Sequence, residues 1–153
     1  MQVFSNETRF GYLLAIILGA GMILGGCAAT VNYSYDPVAD FSTFKKYNWA
    51  QESLVSRQDP LMEKNIRYYA DKFLKDKGFT LAPDKPEFVI SMNYALDYYD
   101  AYQLRLLNLY VYRTPGRELI WQGTAEGTIK ADAASPDLAE AVKNILTNFP
   151  PKR

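Results

Sequence analysis

The sequence predicts an α+β fold: an antiparallel β-sheet of about five strands, in the order β-β-α-β-β-β-α, with two amphipathic helices packed against it. Three observations predict it. Long alternating apolar segments follow one another between residues 87 and 130. Two other stretches carry apolar residues at helical spacing behind cap-and-proline starts. The chain has 153 residues, 48% of them apolar and without an internal repeat, which suits one domain.

Val31-Asn32-Tyr33-Ser34-Tyr35 alternates, with Val31, Tyr33 and Tyr35 on one face, and Asp36-Pro37 ends it with turn chemistry. Lys46-Tyr47-Asn48-Trp49 reads as a second short strand, and residues 51–59 are polar and irregular. Asp59-Pro60 then opens a helix, with Asp as N-cap and Pro in the first turn. Met62, Ile66, Tyr69 and Phe73 form its apolar stripe. Lys72, Lys75 and Lys77 favour the negative helix end, and Gly78 suits the position past the last turn.

After the loop Ala82-Pro83-Asp84-Lys85-Pro86 come EFVISMNYALDYY, AYQLRLLNLYVYR and RELIWQGTAEGTI. In the first, Phe88, Ile90, Met92, Tyr94 and Leu96 share a face opposite Ser91, Asn93 and Asp97. In the second, Leu107, Leu109 and Val111 oppose Asn108, Tyr110 and Tyr112. Thr114-Pro115-Gly116-Arg117 is a hairpin turn signal, so an antiparallel meander is expected. Gly123 and Gly127 predict a bulge or a close backbone approach. Ser135-Pro136 starts the second helix, with Leu138, Val142, Ile145 and Phe149 as its stripe and Ala141 beside it. Pro150-Pro151 stops it. Both faces of the last three strands carry apolar residues, so the face the helices cover stays open at this stage.

The N-terminus reads as an export signal. Arg9 precedes the uncharged run GYLLAIILGAGMIL, and small residues follow. Leu24, Gly25, Gly26 and Cys27 resemble a bacterial lipobox. That resemblance implies that Cys27, the single cysteine, is the lipidation site, and that Leu24, Gly25 and Gly26 are read by the signal peptidase. It divides the chain into a signal peptide (1–26), a lipidated cysteine with a short tether (27–30) and one α+β domain (31–153). Two acyl chains give stable anchoring where one is marginal. Ala28 stands where an aspartate tends to retain such proteins in the inner membrane. The expected address is therefore the bacterial cell envelope, in the inner leaflet of the outer membrane facing the periplasm. A competing reading makes the uncharged run Phe10–Ala29 a transmembrane helix, with Gly21 and Gly25 in a GxxxG pattern. Gly11, Gly19, Gly21, Gly25 and Gly26 weigh against it. A buried Cys27 is the third reading.

Composition excludes several chemistries. The chain has no histidine, which removes triads with a His base and the commonest zinc ligand. One cysteine allows no internal disulfide and no multi-cysteine metal site. Seventeen basic residues balance seventeen acidic ones without a basic block, against nucleic-acid binding. No cofactor fingerprint is present: Gly123 and Gly127 are not followed by the Lys-Ser/Thr of a phosphate loop.

YSYDP (33–37), DFSTFKKYNWA (40–50), KGF (77–79), ELIWQGTAEGTI (118–129) and ILTNFPPK (145–152) resemble, in this order, the bacterial envelope lipoprotein family numbered four-one-three-six among the domains of unknown function. The resemblance spans nearly the whole mature chain and implies a small α+β domain behind a lipobox. It supplies no catalytic residues.

Tyr94, Tyr98, Tyr99, Tyr102, Tyr110 and Tyr112 crowd one hairpin. Tyrosine favours strands in any case, but Tyr98, Tyr99 and Tyr102 in the loop Asp97–Tyr102 are candidates for contact with a glycan, lipid or protein partner. Trp49 and Trp121 read as core or sheet-edge residues. Asp36 with Asp40, Asp97 with Asp100, and Glu126 with Asp132 are carboxylate pairs in sequence, read as solvated loop charges. The expectation is a non-enzymatic, lipid-anchored envelope protein, without cofactor or metal, that binds an unknown envelope protein or glycan or supports an assembly at the membrane surface. The alternatives are a small-molecule or lipid carrier with a pocket between helices and sheet, and a carboxylate-dependent cell-wall hydrolase.

Overall fold

The structure is a computed structural model and describes residues 29–50, 59–97, 99–100, 102–132 and 135–152. Among these residues the chain forms strands β1 (Thr30–Tyr35) and β2 (Lys46–Trp49), helix α1 (Pro60–Asp76), strands β3 (Thr80–Leu81), β4 (Phe88–Leu96), β5 (Gln103–Arg113) and β6 (Glu118–Lys130), and helix α2 (Asp137–Thr147).

The fold class is α+β as expected, but the sheet differs in two respects. It has six strands rather than about five, and it is mixed rather than antiparallel. The strand order is β1-β6-β5-β4-β2-β3. β4, β5 and β6 form the expected meander, and β1 pairs antiparallel with β6. β2, however, runs parallel to both β3 and β4. The cause is connectivity. Tight turns reverse the chain between β4, β5 and β6, whereas α1 carries it back across the sheet after β2, and a strand reached by a crossover returns parallel. β3 is only two residues long and shows no periodicity to read.

Local chemistry explains the helix ends. The Asp59 carboxylate accepts from the backbone N–H of Leu61 at 2.9 Å and of Met62 at 3.1 Å, and Pro60 occupies the first turn. At the other end Gly78 takes a φ of +88°. Its N–H donates to the Lys75 carbonyl, and that of Phe79 donates to Leu74. This Schellman closure turns Phe79 back into the core. α2 begins one residue later than Ser135-Pro136 suggests. Pro136 is the cap, and the Ser135 hydroxyl accepts from the Asp137 N–H at 3.2 Å.

Both helices lie on one face of the sheet, the face built by Phe88, Ile90, Met92 and Tyr94 of β4 and by Leu107, Leu109 and Val111 of β5. α2 crosses β6 and β1, and α1 packs beside α2. The space between is filled by aromatic rings. Phe88 meets Phe44, Tyr47, Phe79 and Phe149 at centroid distances of 5.4 to 5.8 Å, and Phe149 meets Trp121 at 5.3 Å. Trp49 and Trp121 are both core residues.

The two strand glycines serve the two purposes expected of them. A Cβ on Gly123 would lie 2.6 Å from Ile145 Cγ2, so α2 presses directly on the backbone of β6 there. Gly127 has a φ of +144° and sits where the β5–β6 register shifts between Leu104 and Leu106, as a bulge.

Candidate functional site

Alternation leaves polar side chains across the middle of the second face of the sheet, with Val89, Tyr112 and Leu119 in a row toward one end. Asn93, Asn108, Thr124 and Asn32 line up across β4, β5, β6 and β1, and the Thr124 hydroxyl donates to Asn108 Oδ1 at 2.7 Å. The adjacent row is Ser91, Tyr110, Gln122 and Ser34. These positions are half-buried or exposed, in contrast to the buried row on the helix side. These two rows form an array of amides and hydroxyls, able to donate and accept hydrogen bonds.

The described residues of the loop between β4 and β5 are tied by local hydrogen bonds. Asp97 Oδ1 accepts from the Tyr99 N–H at 2.8 Å, and Asp100 Oδ1 accepts from the Tyr102 N–H at 2.9 Å, two successive Asx turns. The Asp97 N–H donates to Gln103, and the Ala131 N–H donates to Tyr102, which ties the loop to the end of β6. Tyr99 is 93% exposed and Tyr102 67% exposed. Tyr98 lies outside the described residues.

The tyrosines of this hairpin therefore do not form one platform. Tyr94 turns inward, where its hydroxyl accepts from the Asp59 N–H at 3.0 Å and donates to the Asp59 carbonyl at 3.1 Å, pinning the start of α1. Burial moves its pKa upward, with the charge of nearby Glu63 adding to it, while the hydrogen bond from the Asp59 N–H acts the other way. Tyr110 and Tyr112 belong to the polar sheet face. Among the described residues only Tyr99 and Tyr102 are the tyrosines that crown the loop.

Most of the candidate carboxylates are engaged in structure. Asp36 accepts from the Val38 N–H, and Asp40 from the Ser42 N–H and hydroxyl, both as local turns. Glu87 accepts from the backbone N–H groups of Lys45 at 2.5 Å and Lys46 at 2.8 Å, which hold its carboxyl below the usual range. Among the described residues no three acidic, histidine or cysteine side chains are grouped to hold a metal.

Sequence reading missed Asp71. One of its oxygens accepts from both the Tyr47 hydroxyl at 2.7 Å and the Trp49 indole N–H at 2.9 Å. Arg67, one turn earlier, lies over the Trp49 ring at 4.8 Å. The available signal was the i, i+4 pair of opposite charges on α1 facing a strand with two polar aromatics. An open groove of about 520 Å³ runs along this side of α1 past Glu63, Arg67, Tyr68 and Asp71. A second of about 520 Å³ lies between Asp40, Thr43, Glu87 and Arg113.

Cys27, Leu24, Gly25 and Gly26 lie outside the described residues, as does most of the competing transmembrane run. Among the described residues no helix is long and apolar enough to cross a membrane.

The chain belongs to the family described as a domain of unknown function, DUF4136, which matches residues 31–151. Among curated proteins no sequence match is found. Solved structures share the fold at low identity. A PDZ domain protein from Parabacteroides distasonis superposes with a TM-score of 0.59 at 13% identity over 82% of this chain. The match spans 36% of that protein, so the chain corresponds to about a third of its length. The PelC dodecamer from Paraburkholderia phytofirmans superposes with a TM-score of 0.55 at 12% identity, over 82% of this chain and 100% of that one. A single-residue variant of PelC, also a dodecamer, gives 0.55 at 14% identity over 78% and 95%.

Proposed function

We propose that this protein is a lipid-anchored, non-enzymatic component of the bacterial envelope that presents a binding surface beside the membrane and supports an assembly there. One observation carries the reading. Cys27 lies three positions before Thr30, the first residue of an edge strand whose sheet has one face sealed by helices and the other open and polar. A tether that short, about 10 Å when extended, holds the open face close to the bilayer, where a partner is met in two dimensions.

The filled helix–sheet interface supports a binding surface over a carrier pocket, because Phe79, Phe88, Trp121 and Phe149 occupy the space a ligand would need. That PelC, of the same fold, is a dodecamer supports the assembly side of the reading. The outer membrane facing the periplasm is the proposed location.

The test is intact-mass analysis of the protein from a bacterial membrane fraction, wild type beside Cys27→Ser. A mature mass starting at Cys27 plus acyl chains, lost in the variant, is expected. A full-length unmodified mass would overturn the anchor and favour a transmembrane helix. Native mass measurement of the detergent-solubilised protein then tests assembly, with copies of this chain or a co-purifying envelope protein expected and a bare monomer counting against it.

A further inference from the structure

The strand register fixes which parts of the domain share an end with the tether. Thr30 is level with Glu126 of β6, which is level with Leu106 of β5. Past that level β6 continues to Lys130 and β5 reaches back to Gln103, where the two are paired. The β4–β5 loop therefore projects beyond the start of β1, on the side from which the chain arrives. At about 3.3 Å per residue the overhang to Tyr102 is about 13 Å. Three residues from Thr30 back to Cys27 can span at most about 10 Å. The loop thus overhangs the start of β1 by about the distance such a tether can reach.

The geometry points to the β4–β5 loop as a second membrane contact, in which Tyr99 and Tyr102 lie in the interfacial region of the bilayer beside the lipid on Cys27. This rests on the lipid-anchor reading. Tyrosine suits that layer, with an apolar ring and a hydroxyl that stays hydrated. Among the described tyrosines of the hairpin these two rings are the most exposed, and the Asx turns made by Asp97 and Asp100 hold the backbone at Tyr99 and Tyr102 before it meets lipid. The charges at this end include Asp97, Asp100, Glu126, Asp132 and Asp137 against Arg105 and Lys130. The contact is therefore aromatic rather than electrostatic, and it does not need anionic lipid. A single tether leaves the domain free to swing, whereas a tether plus a seated loop fixes its tilt and the direction of the open sheet face.

The test places an indole at the tip. Tyr99→Trp protein is purified with its native N-terminus and reconstituted in phosphatidylcholine vesicles carrying brominated acyl chains. Leu119→Trp, at the far end of β6 and 43% exposed, is the control. Trp49 and Trp121 are buried and set a background that the wild type measures. Emission from position 99 is expected to fall about twofold, as for an interfacial aromatic, with position 119 unaffected and no gain on adding phosphatidylglycerol. If the protein carries its acyl chains and position 99 is quenched no more than position 119, the loop contact is wrong and the anchor stands. If the mass shows no lipid, the anchor reading falls. Quenching at position 99 would then still support the loop contact, and its absence would overturn that too.

Discussion

The ammonium of Lys77 donates to the backbone carbonyl of Phe149 at 2.5 Å, and so joins the end of the first helix to the end of the second. It also donates to the carbonyls of Leu146 at 2.7 Å and Thr147 at 3.0 Å. Leu146 and Thr147 lie in the last turn of α2, at the negative end of its dipole, and the Leu146 carbonyl accepts from the Phe149 N–H as well. One side chain thus caps a helix other than its own.

Replacing Lys77 by Met keeps most of the stem and removes the charge. The expected loss is about 1–3 kcal/mol, the worth of a set of charge-assisted hydrogen bonds. Urea unfolding of the two proteins measures it. Equal midpoints would mean that water serves those carbonyls as well as the lysine does.

Tyr47 gives a pH dependence. Burial, then the hydrogen bond to Asp71 and its negative charge, hold the phenol far above the usual tyrosine range. Below about pH 10 both folded and unfolded chains keep this proton. Above it the unfolded chain releases the proton and the folded one retains it, so stability falls as pH rises, by at most about 1.4 kcal/mol per pH unit. Tyr47→Phe should show a shallower alkaline decline than the wild type. Parallel stability curves between pH 10 and 11.5 would refute the assignment.

Gly123→Ala should destabilise by about 1–3 kcal/mol, the usual range for overpacking. The added methyl would meet Ile145 of α2 and the ring of Trp121. Pairing it with Ile145→Ala, which removes the Cγ2 methyl that the new Cβ would meet, should cost less than the two single changes summed. Additive costs in the double variant would show that the helix does not bear on the glycine.

Phe149→Ala should cost about 3–5 kcal/mol, as for a large ring removed from a core. Phe149 touches Phe41, Phe79, Phe88 and Trp121, so its removal leaves a void that no single neighbour fills. A thermal melt suffices, and a loss below about 1 kcal/mol would mean that the cluster collapses around the gap.

Local signals were legible wherever one physical rule dominated. Asp59-Pro60 and Gly78 marked the ends of α1, because caps act within a few residues. Strand alternation sorted Leu107, Leu109 and Val111 from Asn108, Tyr110 and Tyr112. The helix stripes were read less well. In α1 the fully buried residues are Met62, Ile66, Ala70 and Leu74, with Tyr69 and Phe73 packed only partly against the core. Large rings mark a helix flank as readily as its centre, and alanine sits where the sheet comes closest. Phe149 lies beyond the end of α2 yet is fully buried. The parallel pairing of β2 was not legible, since it depends on where α1 carries the chain. Nor was the bond of Asp71 to Tyr47 and Trp49, which joins positions more than twenty residues apart.

The pairing of β1 with β6 has a consequence for the order in which the domain is made. Thr30 finds its partner at Glu126, so nearly the whole domain must emerge before its first strand can be seated. Such long-range closure is slow compared with the β4–β5 and β5–β6 hairpins, which need only their own turns. The hairpins and helices can therefore form first, with the N-terminal strand docking last. Were the chain fastened through Cys27 as proposed, the piece nearest the fastening would be the final one to enter the fold.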